Sequence, residues 1–326
     1  MRRPVRSPRR ERSGRDAEMR ESSLAAAEIK WISPSLAEEF AREDTDAYRI
    51  ADGERCRIER FGDGAIVSSC KVTMPLEIVD ELAVWCERAG VSLRRTYARR
   101  LVPTPGRHDA PQALGTVAPP HSGIAHEEGL SYHIDFMAGY SCGLFIDQRA
   151  NRRRIRTRCS GRLLNLFSYT CSFAVAAAAA GAQTVNIDLA KSALDRGRGN
   201  FALNDLSTKG HRFIADDVLE VLPRFERRGE RFEWIVLDPP TFSRGRKGRI
   251  FRLESDYGWL IKMACACASP GAMVLLSANC SSFDTGKLTA LGRSRLGYRP
   301  TFLEPEVLPD ISAKRGASTV WMQIGG

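Results

Sequence analysis

The stretch Leu164-Asn165-Leu166-Phe167-Ser168-Tyr169-Thr170-Cys171-Ser172-Phe173 decides the fold. An apolar run starting at Leu163 and suited to a buried strand leads into a short polar turn, and an alanine-rich helical run follows through Ala180. The same alternation continues downstream. Strands are expected at Thr184–Ile187, Arg212–Ile214, Trp234–Leu237, Ala272–Leu276, Tyr298–Phe302 and Ser318–Met322. Helices are expected at Ser192–Leu203, Val218–Arg227, Ser255–Ala268 and Thr285–Arg293. Strands alternating with helices give a parallel sheet covered on both faces, an α/β doubly wound architecture. Its ligand belongs at the carboxyl ends of the strands, where the strand order reverses.

Upstream the pattern differs. A helix over 24–43, capped at Ser33 or Ser35, precedes strands at Ala47–Ile50, Arg55–Arg60 and Ala65–Val72. A helix at Leu76–Ala89 and a strand at Val91–Leu101 complete a small α+β unit. Residues 103–129, rich in Pro, Gly and His, read as a loop or linker, and short strands follow at Ser131–Phe136 and Gly143–Ile146. The expected organisation is a disordered basic tail at 1–22, a small α+β substrate- or RNA-binding domain at 23–125, and a catalytic α/β domain at 126–326.

Composition bounds the function. The 326 residues are 43% hydrophobic and 27% charged, which excludes collagen, a coiled coil and wholesale disorder. No run approaches the roughly 18 apolar residues of a membrane span. Net charge is +10, and the first twenty residues supply half of it, with eight Arg against Glu11, Asp16 and Glu18. An arginine-weighted excess attracts polyanions, nucleic acid above all, although for the first segment a solvated tail is the preferred reading over an RNA-contacting arm. The nine cysteines include no Cys-x-x-Cys pair, and the five His lack metal-ligand spacing. Reduced thiols, a cytoplasmic location, no secretory leader and no metal are therefore expected.

The turn after the first core strand contains no glycine. A pyrophosphate-binding G-x-G-x-x-G turn is absent, so a nicotinamide dinucleotide is disfavoured. S-adenosylmethionine carries no phosphate and suits such a turn. Asp188 ends the next strand, about twenty residues on, where a ribose-binding carboxylate sits, with a helix-capping role as the alternative. Asp216 and Asp217 end the third strand. One of them, Asp217 by preference, suits an adenine amino group, and either suits a cap. The fourth strand ends in Asp238-Pro239-Pro240-Thr241-Phe242, where two prolines stiffen the loop and set Asp238 beside the ligand. Phe242 offers a ring for a base.

These residues resemble a family. Asn165–Thr170, the Asp188 strand end, Asp217-Val218 and Asp238-Pro239-Pro240-Thr241-Phe242-Ser243 are similar to bacterial large-subunit ribosomal RNA methyltransferases of the RlmI and RlmK kind. Gly143-Leu144-Phe145-Ile146-Asp147-Gln148-Arg149 resembles the segment preceding the methyltransferase core there. The likeness is strong over 140–276 and looser at both ends, and no amino-terminal PUA-like domain is evident. It implies a Rossmann-like class I methyltransferase sheet, seven-stranded with its last strand antiparallel, using S-adenosylmethionine. It also implies that Asn165, Phe167, Ser168, Tyr169 and Thr170 line the methionine end. Asp188 with Leu189 would hold ribose, and Asp217, beside Asp216, adenine. Asp238 and Pro239 would border the methyl group, and Asp147 and Arg149 would close the pocket. Cys171 departs from the family's glycine and threatens to crowd the turn.

The implied acceptor is a base of 23S ribosomal RNA or a large-subunit precursor. Two arginine clusters suit phosphates: Arg152-Arg153-Arg154, Arg156 and Arg158, and, preferred for its place after the catalytic loop, Arg244, Arg246, Lys247, Arg249 and Arg252. Cytosine C5 methylation requires a thiolate to add at C6, which Cys280 would supply; guanine N7 needs no covalent step. Asn279-Cys280-Ser281 matches both branches in part, and the missing PUA-like domain tilts the reading to guanine N7. Candidate catalytic residues are Asp238, Phe242 and Cys280. The alternatives are a non-catalytic RNA-binding or ribosome-assembly protein, a nicotinamide-dependent oxidoreductase, and a methyltransferase with another acceptor.

Overall fold

A computed structural model describes residues 29–53, 56–69, 76–101, 110–115, 120–139, 141–245, 248–295, 299–312 and 315–325. The expected tail at 1–22, Cys70, Arg246, Lys247 and Tyr298 lie outside the described residues.

The front of the chain forms a six-stranded sheet in the order β1-β2-β3-β4-β5-β6. Its strands are β1 (Lys30–Trp31), β2 (Ala47–Asp52), β3 (Cys56–Phe61), β4 (Gly64–Ser69), β5 (Arg95–Arg100) and β6 (Gln112–Ala113). Neighbours are antiparallel except β4 and β5, which are joined through helix α2 (Leu76–Ala89). Helix α1 (Pro34–Arg42) begins where Ser33 Oγ accepts from Leu36 N at 3.2 Å. The expected helix over 24–43 is thus shorter at its start, because Lys30 and Trp31 pair with Asp52 and Ala51 instead. One sheet face buries Tyr48, Ile50, Ile58 and Val67 with Ile78, Leu82 and Trp85 of α2.

A hairpin follows, β7 (Ser122–Glu127) and β8 (Leu130–Asp135). Its two-residue turn, Glu128-Gly129, has φ of +51° and +75°, which suits the twist of the flanking strands. The expected linker over 103–129 therefore contains β6 and β7. Asp46 Oδ1 and Thr45 Oγ1 accept from His126 N and Glu128 N, while Asn200 and Asn204 accept from His133 N and Ser131 N. The hairpin is thus tied both to the front sheet and to the large sheet's helices.

The large sheet has seven strands in the order β11-β10-β9-β12-β15-β17-β16. They are β9 (Arg162–Leu166), β10 (Gln183–Asp188), β11 (Arg212–Ala215), β12 (Phe232–Leu237), β15 (Ala268–Ala278), β16 (Thr301–Leu303) and β17 (Ser318–Gln323). β17 alone runs opposite to the other six strands, as the family resemblance implied. The helices are α3 (Arg149–Arg158), α4 (Ser172–Ala179), α5 (Lys191–Leu203), α6 (Val218–Arg227), α7 (Leu253–Ala266) and α8 (Thr285–Arg295). Alternate strand residues enter opposite cores: Leu163, Val236 and Leu275 on one face, Leu164, Ile235, Leu237 and Leu276 on the other. That two-sided burial explains the continuous apolar runs. The chain steps outward from β9 to β11 and then returns to β12, so strand order reverses between β9 and β12. A crevice belongs there.

Two further differences from expectation lie near that crevice. Gly143–Ile146 is a loop entering a 3-10 turn at Ile146–Gln148, and not a strand. Its backbone bonds to side chains and turns instead of a ladder: Gly143 O accepts from Thr170 Oγ1 at 2.6 Å and Cys142 O from Arg196 at 3.1 Å. Gly143 has φ +129°, and a Cβ there would lie 2.5 Å from His133 O. After Pro240 the chain forms a second hairpin, β13 (Phe242–Arg244) with β14 (Ile250–Arg252).

Candidate cofactor and acceptor site

The glycine-free turn at the β9 tip is built from left-handed residues. Phe167, Tyr169 and Cys171 have φ of +58°, +45° and +60°. Each such non-glycine residue costs roughly 1–2 kcal/mol, so the surroundings must enforce the shape. They do so residue by residue. Ser168 N donates to Ile187 O at 2.9 Å and Tyr169 N to Asp188 Oδ2 at 2.8 Å. Tyr169 Oη donates to Ser141 O at 2.9 Å, and Asn200 Nδ2 to Thr170 O at 2.9 Å. Phe167 packs its ring 5.7 Å from that of Phe251.

Cys171 does not crowd this turn. Its side chain is fully buried and points at helix α5, where a Cβ on Gly197 would lie 2.5 Å from Sγ. The thiol occupies the space that glycine leaves open. Burial pushes it up to about 12, so it is a neutral packing group.

Asp188 stands at the β10 tip. Its Oδ2 accepts from Tyr169 N and its Oδ1 from Ala190 N at 2.8 Å. Each oxygen keeps a lone pair for a further donor. Burial raises its pKa, and the two N–H donors oppose that shift. Leu189 follows, half-buried. Ser168 Oγ is buried with no hydrogen-bond partner among the described residues. An orphaned hydroxyl beside a half-satisfied carboxylate, at the mouth of the sheet, fits a polar ligand carrying hydroxyl and amino groups.

At the β11 tip, Asp217 caps α6: Oδ1 accepts from Leu219 N at 2.9 Å, and the residue is 4% exposed. Asp216 pairs with Arg224 at 2.5 Å and accepts from Asp217 N. Capping thus accounts for one oxygen of Asp217, while Asp216 is held in an ion pair. Asn165 lies within the sheet, 1% exposed, donating to Asn186 Oδ1 at 3.2 Å. It supports the sheet below the mouth and does not line it.

Asp238 and buried Pro239 follow β12. Burial pushes the Asp238 carboxyl up to about 6, with the Ser277 hydroxyl opposing and the charge of Asp147 adding. Sequence reasoning missed its support. Gln148 Nε2 donates to Ser277 Oγ at 2.9 Å and lies 3.4 Å from Asp238 Oδ2. Tyr257 Oη donates to Ser277 O at 2.7 Å, accepts from Ser277 N at 2.9 Å and lies 3.3 Å from Leu237 O, so it bridges the β12 and β15 tips. Gln148 sat inside a quoted motif with only its neighbours assigned. Tyr257 carried no signal, because its role depends on which strands α7 crosses.

Asp147 accepts from Ala317 N at 2.9 Å and lines a polar cavity between the front sheet and the strand tips. Arg57, Glu59 and Arg99 of the front sheet and Asn279 of the core also line it. Burial pushes Glu59 up, but the guanidiniums of Arg57, Arg49 and Arg99 outweigh it and hold the carboxylate at about 2. Cys280, half-buried, has its Sγ 3.3 Å from Ser282 Oγ.

Arg149 is corrected. It is 1% exposed, ion-paired with Asp310, bonded to Ala47 O at 3.1 Å and stacked on Phe40, so it clamps the front sheet to α3. The first arginine cluster is corrected in part: Arg154 lies over the Trp321 ring at 5.8 Å and Arg158 is exposed, but the other three members are engaged. Arg152 makes two bonds to Glu127, Arg153 pairs with Glu128, Glu306 and Glu43, and Arg156 donates to Glu128 O. These cations are engaged within the fold.

A seven-stranded doubly wound sheet with its last strand reversed, and a glycine-free turn bonded to a carboxylate at the next strand tip, are the features of a Rossmann-like class I methyltransferase fold. The chain belongs to the S-adenosylmethionine-dependent methyltransferases: that family's model matches residues 113–316. S-adenosylmethionine is the methyl donor of that family. Among curated proteins it is similar to ribosomal RNA large subunit methyltransferase I of Salmonella enteritidis, 30% identical over 263 residues, covering 76% of this chain and 63% of that protein. The chain thus spans less than two thirds of that relative's length. Among solved structures it is similar in fold to a methyltransferase complexed with SAH, with a TM-score of 0.76 at 23% identity over 89% of this chain and 78% of the other. It is also similar to a SAM-dependent methyltransferase from Agrobacterium tumefaciens, with a TM-score of 0.68 at 20% identity over 86% and 90%. No described helix is long and apolar enough to cross a membrane.

Proposed function

We propose that the acceptor is a base of 23S ribosomal RNA, in the naked molecule or a large-subunit precursor, and that the protein acts in the cytoplasm. One observation carries this reading: the polar cavity where Arg57, Glu59 and Arg99 of the front sheet face Asp147 and Asn279 of the core. It offers edge hydrogen bonds of both signs to an extruded base next to the strand tips. The name of the Salmonella relative assigns that protein to large-subunit ribosomal RNA and supports the same class here. In this reading the front sheet is the acceptor module and the large sheet the catalytic one.

Phe167, Ser168, Tyr169 and Thr170 line the methionine end of the cofactor, Asp188 with Leu189 holds the ribose hydroxyls, and Asp217 faces adenine. Asp238 and Pro239 border the transferred methyl, and Asp147 closes the pocket from upstream. Bound there, S-adenosylmethionine supplies an electrophilic methyl group on a sulfonium. The chain's residues fix the acceptor in line with it and keep the site dry. Asp238, ionised above about pH 6, complements the positive charge.

The atom methylated turns on Cys280. Guanine N7 needs no nucleophile and carries over from the sequence. Cytosine C5 is favoured by one observation: a half-buried thiol stands just beyond the β15 tip. Mass-spectrometric mapping of ribosomal RNA from cells with and without the gene tests the proposal. A methylated base present only with the gene supports it; an unchanged map overturns it. Cys280→Ala then separates the atoms, since N7 methylation survives and C5 methylation is abolished.

A further inference from the structure

The β13–β14 hairpin has two unlike faces. Cross-strand partners share a face, and the register pairs Phe242 with Arg252, Ser243 with Phe251, and Arg244 with Ile250. The inner pair puts Phe251, 2% exposed, into the core. The outer face is Phe242, Arg244, Ile250 and Arg252, all exposed. Helix α7 adds Trp259 beside it, because the Arg249 guanidinium lies over the Trp259 ring at 5.6 Å. Arg252 lies over Phe242, also at 5.6 Å. Phe242, Ile250 and Trp259 are 38%, 45% and 36% exposed. Among the described residues, Arg244, Arg249 and Arg252 have no carboxylate partner.

We propose that this face is a stacking platform for unpaired nucleotides flanking the target base, with Trp259 and Phe242 as rings and Arg249 and Arg252 as guanidinium planes. The inference rests on the RNA reading and deepens it by naming the surface and the state of the RNA it takes. Exposed rings are costly to leave in water unless a partner covers them. Aromatic faces alternating with unpaired arginines match the π-faces and phosphates of a single strand. A duplex hides its base faces and has no use for the rings. The hairpin leaves the Asp238-Pro239-Pro240 loop directly, so a strand lying on it is within reach of the sheet mouth. A protein partner also uses aromatic and arginine side chains, but three uncompensated cations favour the polyanion.

The test uses the full chain with two probes: an unstructured 12-nucleotide RNA, and a hairpin-free duplex of the same length. Trp259→Ala is expected to weaken single-strand binding roughly tenfold and duplex binding by less than about twofold. Trp259→Phe is expected to restore most of the loss, and both variants are expected to bind S-adenosylmethionine as the parent does. RNA is also expected to quench tryptophan fluorescence in the parent and not in Trp259→Phe. Equal weakening for both probes, quenching that persists in Trp259→Phe, or no weakening at all while the parent still binds RNA overturns the platform and leaves the acceptor reading standing. No RNA binding by the parent removes both.

Discussion

Helix α3 and the β13–β14 hairpin are both arginine-rich, and they use arginine in opposite ways. In α3, Arg149 and Arg152 are 1% and 2% exposed and meet Asp310 and Glu127. In the hairpin, Arg244 and Arg252 are exposed and no carboxylate meets them among the described residues. Local charge density does not distinguish the two. The partners do, and they come from far away in the chain: Glu127 lies 25 residues before Arg152, and Asp310 lies 161 residues after Arg149. A guanidinium taken out of water must be paired. Fully enclosed and paired, as Arg149 and Arg152 are, it acts as a clamp.

The contrast can be broken hardest at Arg152. Arg152→Ala leaves Glu127 buried and unpaired, which is expected to cost about 3–5 kcal/mol, read by chemical denaturation. Replacing both partners by apolar residues, Arg152→Met with Glu127→Met, is expected to recover most of that loss. Full stability in the single variant would mean that α3 is not a clamp.

A second absorbed side chain gives the next largest effect. Gly197→Ala drives a Cβ against the Cys171 thiol and is expected to cost about 1–3 kcal/mol. Cys171→Gly in the same chain is expected to cancel much of it, with coupling visible in a double-mutant cycle. Additive effects would show that the two residues do not share that space.

Asp238 sharpens the comparison from the site itself. Its carboxyl titrates near 6 in the fold, against 3.8 for an ordinary carboxyl. Between those values the unfolded chain ionises first, so stability is lost as pH rises from about 4 to 6. Asp238→Asn removes that loss. It is expected to raise Tm at pH 7 and to leave Tm nearly unchanged at pH 4, while methyl transfer falls. An equal gain at both pH values would contradict the burial of its charge.

The smallest stability effect belongs to the hairpin. Arg244→Ala is expected to shift unfolding by less than about 0.5 kcal/mol. The salt dependence of RNA binding is expected to become shallower by about one phosphate contact.

Much of the large sheet was legible. Val218–Arg227 and Leu76–Ala89 match the expected helices residue for residue, because both carry a clear apolar stripe. The Asp188 and Asp238 strand ends were legible because an acid after an apolar run has few other uses. Asn165 was misplaced by one layer: its position in a turn-like motif hid the buried amide pairing with Asn186, which depends on the neighbouring strand. Gly143–Ile146 looked like a strand by its apolar residues but has no edge to pair with. Cys171 could not be interpreted without Gly197, 26 positions later and one helix away. What local pattern encodes was readable, and what a distant partner decides was not.

Ultraviolet cross-linking of the full chain to a large-subunit ribosomal RNA fragment, followed by peptide mass spectrometry, tests the division of labour most directly. Cross-linked nucleotides are expected on peptides covering 242–259 and not on those covering 149–158. Adducts on 149–158, with 242–259 clean, would contradict it.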